Sequence, residues 1–409
     1  MIISTPEIHT NDGRVIVSAR ISYDHRPLNK PDIAWFSFPE KYAPFVSGRA
    51  DPFAVSLLPL AQVLGEDLTI QGSLSPRLLN GMREYQQVMA YWIPNQMRLV
   101  NIIANDLQPL PAQRAGKNLV TLFSGGVDSS HSLVSHLPEY QTDLAYQVRG
   151  ALFIHGLDIP FQNQASYLES LQIFERHLTP LGIELISCAT NLHYFSSGLL
   201  KWGIAHAGVI FGAGLALDGW IANLVVPSSY SLDELIPRGI SPMVDHLLST
   251  ETLKIIHHGA TSSRVEKVAA ISNWEPAQQF LRVCVDEKYR FAVNNCSKCE
   301  KCIRTMTMLE ICGTLPAFKT FKQPFGIHDI FRWTPHYEFG EVWVLQTIQF
   351  ARSQAKHQYI FPLQVAHIKG RIRNWIYRRI PRWLFKFLKA QKFPYQQDLF
   401  NPDFLPPGM

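Results

Sequence analysis

Apolar positions along the chain fall into a few short rhythms that separate strands from helices. Arg14–Tyr23 and Ile33–Phe38 are rich in β-branched and aromatic residues and predict strands. Asp51-Pro52 and Ser75-Pro76 each place a capping side chain ahead of a proline suited to a first helical position. They predict helices near 52–64 and 76–92. Gln108–Lys117 holds two prolines and a glycine, suits neither element and reads as a linker.

From residue 118 the pattern changes to short buried runs alternating with helices. Leu119–Phe123, Ala151–His155, Glu184–Ser187, Asn223–Val226 and Lys254–Ile256 are the strands. Helices are expected from Ser129, over Gln164–Leu178 and over Gly203–Asp218. Such alternation argues for an α/β fold, a parallel sheet with helices on both faces. The expected organisation is an N-terminal α+β domain at 1–107, a linker at 108–117, the α/β domain at 118–315 and a basic, aromatic region at 316–409. In the last region Ile372, Trp375, Ile376, Trp383, Leu384, Phe387 and Leu388 recur at helical spacing, with Pro381 expected to break the run.

The densest chemistry lies at Ser124-Gly125-Gly126-Val127-Asp128-Ser129-Ser130, straight after a buried strand and at the start of a helix. Backbone N–H groups and the positive end of the helix dipole converge there, which makes an anion site. Gly125 and Gly126 allow a tight turn and close approach to a phosphate. Ser124, Ser129 and Ser130 can donate hydroxyl hydrogen bonds. A carboxylate, Asp128, makes sense beside phosphates if it holds Mg²⁺. Ordinary turn chemistry is the plainer reading of a lone Gly-Gly-Val-Asp, but strand and helix context favours the phosphate site.

Four of the six cysteines fall within Cys296–Cys312, and clustering of this kind favours a metal over disulfides in a reducing compartment. Cys296-x2-Cys299-x2-Cys302, with Cys284 upstream, suits a closed, structural tetrahedral Zn²⁺ site. Lys298, Lys301 and Arg304 would offset its charge. An iron–sulfur cluster and a metal-free thiol group are the rival readings. Cys312 and Cys188 read as core residues.

The hexamer Ser-Gly-Gly-Val-Asp-Ser resembles the PP-loop signature of the N-type ATP pyrophosphatase superfamily, whose members include argininosuccinate, GMP and asparagine synthetases, tRNA thiolases and 7-cyano-7-deazaguanine synthase. Cys284, Cys296, Cys299, Cys302 and Arg304 follow the order of the last family's zinc-binding stretch. Lys267 stands where that family has Thr-Lys-x-Glu-Ile. The gap after Cys284 is longer here, Ser297 replaces a glycine, and no Pro-x-Arg-Asn precedes Gly203–Asp218. The resemblance covers about half of the chain. It implies an adenine nucleotide alpha hydrolase-like fold, ATP split into AMP and pyrophosphate, and an adenylated substrate, with Asp128, Ser129 and Lys267 catalytic. A carboxylate, amide or carbonyl oxygen would be activated for a nitrogen or sulfur nucleophile. The alternatives are a tRNA-modifying enzyme and a non-catalytic ATP-binding module in a larger assembly.

Remaining candidates sit at strand ends, where parallel sheets bind ligands. His155 and Asp158 are expected near the nucleotide, or as loop residues. Ser228–Ser231, Arg238 and His257-His258 are weighed evenly against surface loops, and His206 reads as a packed histidine. Arg264 and Lys267, three apart at a helix start, point to an anionic ligand or to a solvated face.

Composition narrows the setting. An apolar fraction of 46% and a charged fraction of 17% exclude a disordered chain. The longest apolar run, Ile204–Trp220, is interrupted by His206 and Asp218, so no span of about 18–20 residues is expected. The Met1-Ile2-Ile3-Ser4 start lacks the pattern of a secretory signal, and the expected compartment is the cytoplasm. The net charge is only +5, yet Ala366–Lys392 carries nine Lys or Arg and no Asp or Glu. That segment fits RNA, an anionic membrane surface, a protein partner, or a helix packed on the body with a solvated cationic side. The expected substrate is a small molecule.

Overall fold

The computed structural model describes residues 1–25, 30–286, 288–289, 291–335 and 339–379. Its strands are β1 (Ile2–Ile3), β2 (Glu7–Asn11), β3 (Arg14–Ser22), β4 (Ile33–Pro39), β5 (Leu68–Leu74), β6 (Ile102–Leu107), β7 (Asn118–Leu122), β8 (Val148–His155), β9 (Glu184–Thr190), β10 (Ile221–Pro227) and β11 (Lys254–His258). The α-helices are α1 (Asp51–Leu64), α2 (Pro76–Trp92), α3 (Val127–Ser135), α4 (Gln164–Leu178), α5 (His193–Ser196), α6 (Trp202–Leu215), α7 (Arg264–Ile271), α8 (Glu275–Phe280), α9 (Glu300–Cys312), α10 (Ile327–Ile330), α11 (Gly340–Ser353) and α12 (Ile360–Arg379).

These build an α/β arrangement around one mixed, mostly parallel sheet. Its order is β11-β10-β7-β8-β9-β4-β3-β1-β5-β6, with β2 beside β3. The expected parallel sheet is found from β11 to β9, where every neighbour runs parallel. Almost every residue of β8 is buried, as suits a central strand covered on both faces. The N-terminal strands continue this sheet instead of forming one of their own. β4 joins β9 antiparallel through Phe36 opposite Thr190 and Ser37 opposite Ala189. One apolar core accordingly contains residues from Met1 to Ile255.

Helix packing closes the same join. Ser56 Oγ on α1 donates to the Gly208 carbonyl of α6 at 3.0 Å. A Cβ at Gly208 would lie 2.3 Å from the Val55 carbonyl oxygen, so only glycine lets the two backbones approach this closely. Ser75 caps α2 as its sequence predicts, accepting from Leu78 N at 3.0 Å. Asp51 does not cap α1. It is the first helical residue, and its carboxylate accepts instead from Ser75 N at 2.9 Å and Arg49 Nε at 2.8 Å. The expected start at Ser129 moves to Val127, because Gly126 already stands at the cap position of α3.

Beyond the sheet, α10, α11 and α12 pack on α9 through a smaller core that includes Ile303, Ile311, Trp333, Val344 and Leu363. The expected break at Pro381 lies outside the described residues. No described helix is long and apolar enough to cross a membrane.

Candidate functional site

The chain runs from β7 to β8 and β9 on one side, then returns to lay β10 and β11 on the other. Loops leaving the C-terminal ends of β7 and β10 therefore diverge, which opens a crevice at the switch point. A cleft of about 640 Å³ lies there. Leu122, Ile154 and Val226 line it from the last residues of β7, β8 and β10, and Ser124, Asp128, Asp158 and Ser229 from the segments that follow them.

The glycine turn forms one wall. Gly125 adopts φ +72°, and a Cβ there would lie 2.5 Å from the Phe174 ring, so both conformation and space require glycine. Ser129 Oγ donates to the Gly126 carbonyl at 3.1 Å and accepts from Ser124 N at 3.3 Å. The N-terminus of α3 has no side-chain cap. Its free N–H groups and the hydroxyls of Ser124 and Ser129 thus meet at the cleft, together with Gly126 and Val127. Ser130 is fully buried and does not line the cleft, contrary to the expected hydroxyl donor.

Asp128 reaches Arg264 Nη1 at 2.8 Å and Lys267 Nζ at 3.6 Å, so the two cations at the start of α7 meet the loop. Burial would raise the Asp128 pKa, but Arg264 and then Lys267 outweigh it and hold the carboxyl below its ordinary value. A complete capping box, Ser263 with Glu266, fixes where α7 begins. Arg264 lines the cleft and donates to the Ser229 carbonyl at 2.9 Å. Lys267 is buried off the wall and donates to the Ser228 carbonyl at 2.7 Å. Burial lowers its pKa, with Asp128 opposing.

Three further cations on this wall had not been assigned to it from the sequence. Arg282 N donates to the Gly125 carbonyl at 2.8 Å, and its side chain lines the cleft with Lys301 and Arg304. Burial lowers the pKa of Lys301, and repulsion from Arg304 and Arg264 adds to it. Arg304 lies under the Trp343 ring at 3.9 Å, and the indole donates to buried Glu234 at 3.1 Å. Elsewhere in the lining Arg238 stacks on Tyr230 at 4.6 Å. Among the described residues its buried Nε has no hydrogen-bond partner. His206 also lines this part, and burial, then Arg238, pushes its pKa down to about 4. The cleft wall thus carries Arg238, Arg264, Arg282, Lys301 and Arg304 against Asp128 and Asp158.

The four cysteines converge beside this wall. Cys284 lines the cleft, and its Sγ stands 3.9 Å from Cys299 Sγ. Cys302 Sγ is 3.8 Å from Cys296 Sγ and 3.4 Å from Cys299 Sγ, and all four sulfurs lie within 4.8 Å of one another. Thiolates about 2.3 Å from one tetrahedral ion would stand about 3.8 Å apart, so the group could hold a metal such as zinc. Asn295, unremarked in the sequence, organises the approach. Its Oδ1 accepts from Val283 N at 2.9 Å and Cys284 N at 3.1 Å, while Nδ2 donates to the Leu281 carbonyl and to Thr320. Ser297 has φ +58°, a left-handed conformation that glycine adopts more readily than serine.

His155 is brought elsewhere. Its ring stacks on Tyr167 at 4.1 Å, it does not line the cleft, and burial pushes its pKa down to about 4. His258 lies with His131 and His136 in an imidazole cluster, and His257 Nδ1 pairs with buried Asp245 at 2.7 Å. Cys188 is fully buried in the core, as expected. No known family, curated protein or solved structure matches the chain.

Proposed function

We propose that the chain is an ATP-dependent adenylating enzyme of the PP-loop type, acting on a small substrate at the cleft after β7. The observation that carries the reading is the uncapped start of α3 behind a required left-handed Gly125, opening onto a cleft at the sheet's switch point. A volume of about 640 Å³ lies within the range of small-ligand sites.

ATP would supply the adenylyl group that activates an acceptor oxygen, with AMP and pyrophosphate as products. The amides at the head of α3, with Ser124 and Ser129, hold the phosphate end. Arg264, Arg282 and Lys301 give that end its counter-charge. Lys267 acts as a positioning residue, since its ammonium ties Asp128 to the Ser228 carbonyl. An ionised carboxylate beside hydroxyl oxygens is the donor set that Mg²⁺ prefers, and Asp128 is the residue that would hold it. The part of the lining with Arg238 on Tyr230 and neutral His206 takes an acceptor bearing an anionic group. Zn²⁺ fits the four thiolates and would be structural, for a closed set of sulfurs leaves no open position.

Product analysis tests this reading. With an acceptor pool of metabolites, wild type releases pyrophosphate and AMP, and Asp128→Ala slows release about 100-fold or more. Release of ADP and phosphate, or equal rates in the variant, would overturn it.

A further inference from the structure

Helix α12 buries one side and leaves an apolar stripe on the other. Leu363 and Ala366 are fully buried in the small C-terminal core. On the opposite side Phe361, Ile368, Ile372, Trp375 and Ile376 are exposed, Trp375 at 59%. Their spacing of seven, four, three and one places them in one row, about 22 Å long at 1.5 Å per residue. Lys369 and Arg371 stand on either flank of the row, about 80° from its centre. A single exposed isoleucine is ordinary, but a continuous row is not.

We infer that this face lies on an anionic membrane surface. Charge selects the occupant. From Ala366 to Lys392 the sequence has nine Lys or Arg and no acidic residue, so two copies of the face would repel each other. RNA would satisfy the cations yet leave the isoleucines in water, because they offer neither a stacking face nor a hydrogen bond. An anionic bilayer meets both needs at once: headgroups take the cations, and the acyl boundary takes the aliphatic row with Trp375 at the interface. No described helix is long and apolar enough to cross a bilayer.

Flotation of the full chain with vesicles tests it. Vesicles of phosphatidylcholine with 30% phosphatidylglycerol should carry the protein at least about tenfold more than phosphatidylcholine alone, and 0.5 M salt should remove most of the difference. The double variant Ile372→Ser/Ile376→Ser should lose about tenfold in binding, with an unchanged circular dichroism spectrum. Failure to float with anionic vesicles at low salt would overturn the inference, as would a chain that covers this face with its own residues 380–409. Binding unaffected by the double variant, or tighter binding to a poly-uridine RNA that ignores it, would also overturn it.

Discussion

The turn after β7 and the segment from Arg282 to Cys302 stand side by side on one wall of the cleft, but they are shaped by different means. The turn is backbone chemistry: a left-handed Gly125, the cap position of Gly126 and the amides of α3 define it without any bound group. Among the described residues the cysteine segment contains little regular structure before α9 and depends on side chains converging on a point. Four thiolates packed this closely would repel, and an ion such as zinc, which the group could hold, would steady the segment in a way the turn does not require. The two are nevertheless joined. Arg282 N holds the Gly125 carbonyl, and two residues later Cys284 enters the sulfur cluster, with Asn295 fixing the amides between them. The four-cysteine group, which could hold a metal such as zinc, is thereby placed to support the turn.

The sharpest break in this comparison is metal removal. Cys302→Ala, or exhaustive chelation, should release the ion and cost about 4 kcal/mol or more of stability. Nucleotide affinity should fall with it, read by melting temperature and ATP titration side by side. Next comes the turn itself. Gly125→Ala must meet Phe174 and adopt a disfavoured φ, at about 2–4 kcal/mol, whereas Gly126→Ala finds its nearest neighbour at 3.4 Å and should change stability by less than about 1 kcal/mol. Urea denaturation of the pair measures the difference. Removing Asn295 as Ala strands the amides of Val283 and Cys284 and should cost about 2–3 kcal/mol, with metal affinity weakened but not abolished.

Acid should act on neither region first but on the histidines of α3 and its surroundings. Burial pushes His131 down to about 4 and His258 to about 3, and lowers His136. These rings bind fewer protons folded than unfolded. Their contribution is complete above the unfolded value of about 6.5 and is lost as pH falls from there towards 4. Melting temperature measured across pH 7 to 4 should drop in that window, and His258→Gln should flatten the drop. The smallest effect is a gain: Ser297→Gly relieves a left-handed serine and should add about 1 kcal/mol, visible as a small rise in melting temperature.

Much of this architecture was legible because local patterns carry it. Buried runs such as Leu119–Phe123 announce central strands, and a serine ahead of Pro76 announces a helix start. The cysteine spacing pointed to a cluster, since residues three apart are close neighbours at a helix start. What stayed hidden depends on partners far away in sequence. Nothing local in Phe36 or Thr190 tells that β4 will pair with β9 and merge the N-terminal strands with the rest of the sheet. Arg282 reads as an ordinary loop arginine until the turn around Gly125 is set beside it. His155 misled for a related reason: a strand end is a good place for a ligand residue, but its ring turned towards Tyr167. Arg304, expected as a counter-charge for a metal at the cysteines, also lines the cleft against Trp343, a placement nothing in its local sequence announces.

The most direct measurement is the dependence of binding on the phosphate end of the nucleotide. Calorimetric titration of the metal-loaded chain with Mg–ATP and with adenosine should show ATP bound at least about tenfold tighter. Gly125→Ala should erase that margin while leaving adenosine binding unchanged. Equal affinities for both ligands in the wild type would contradict the account.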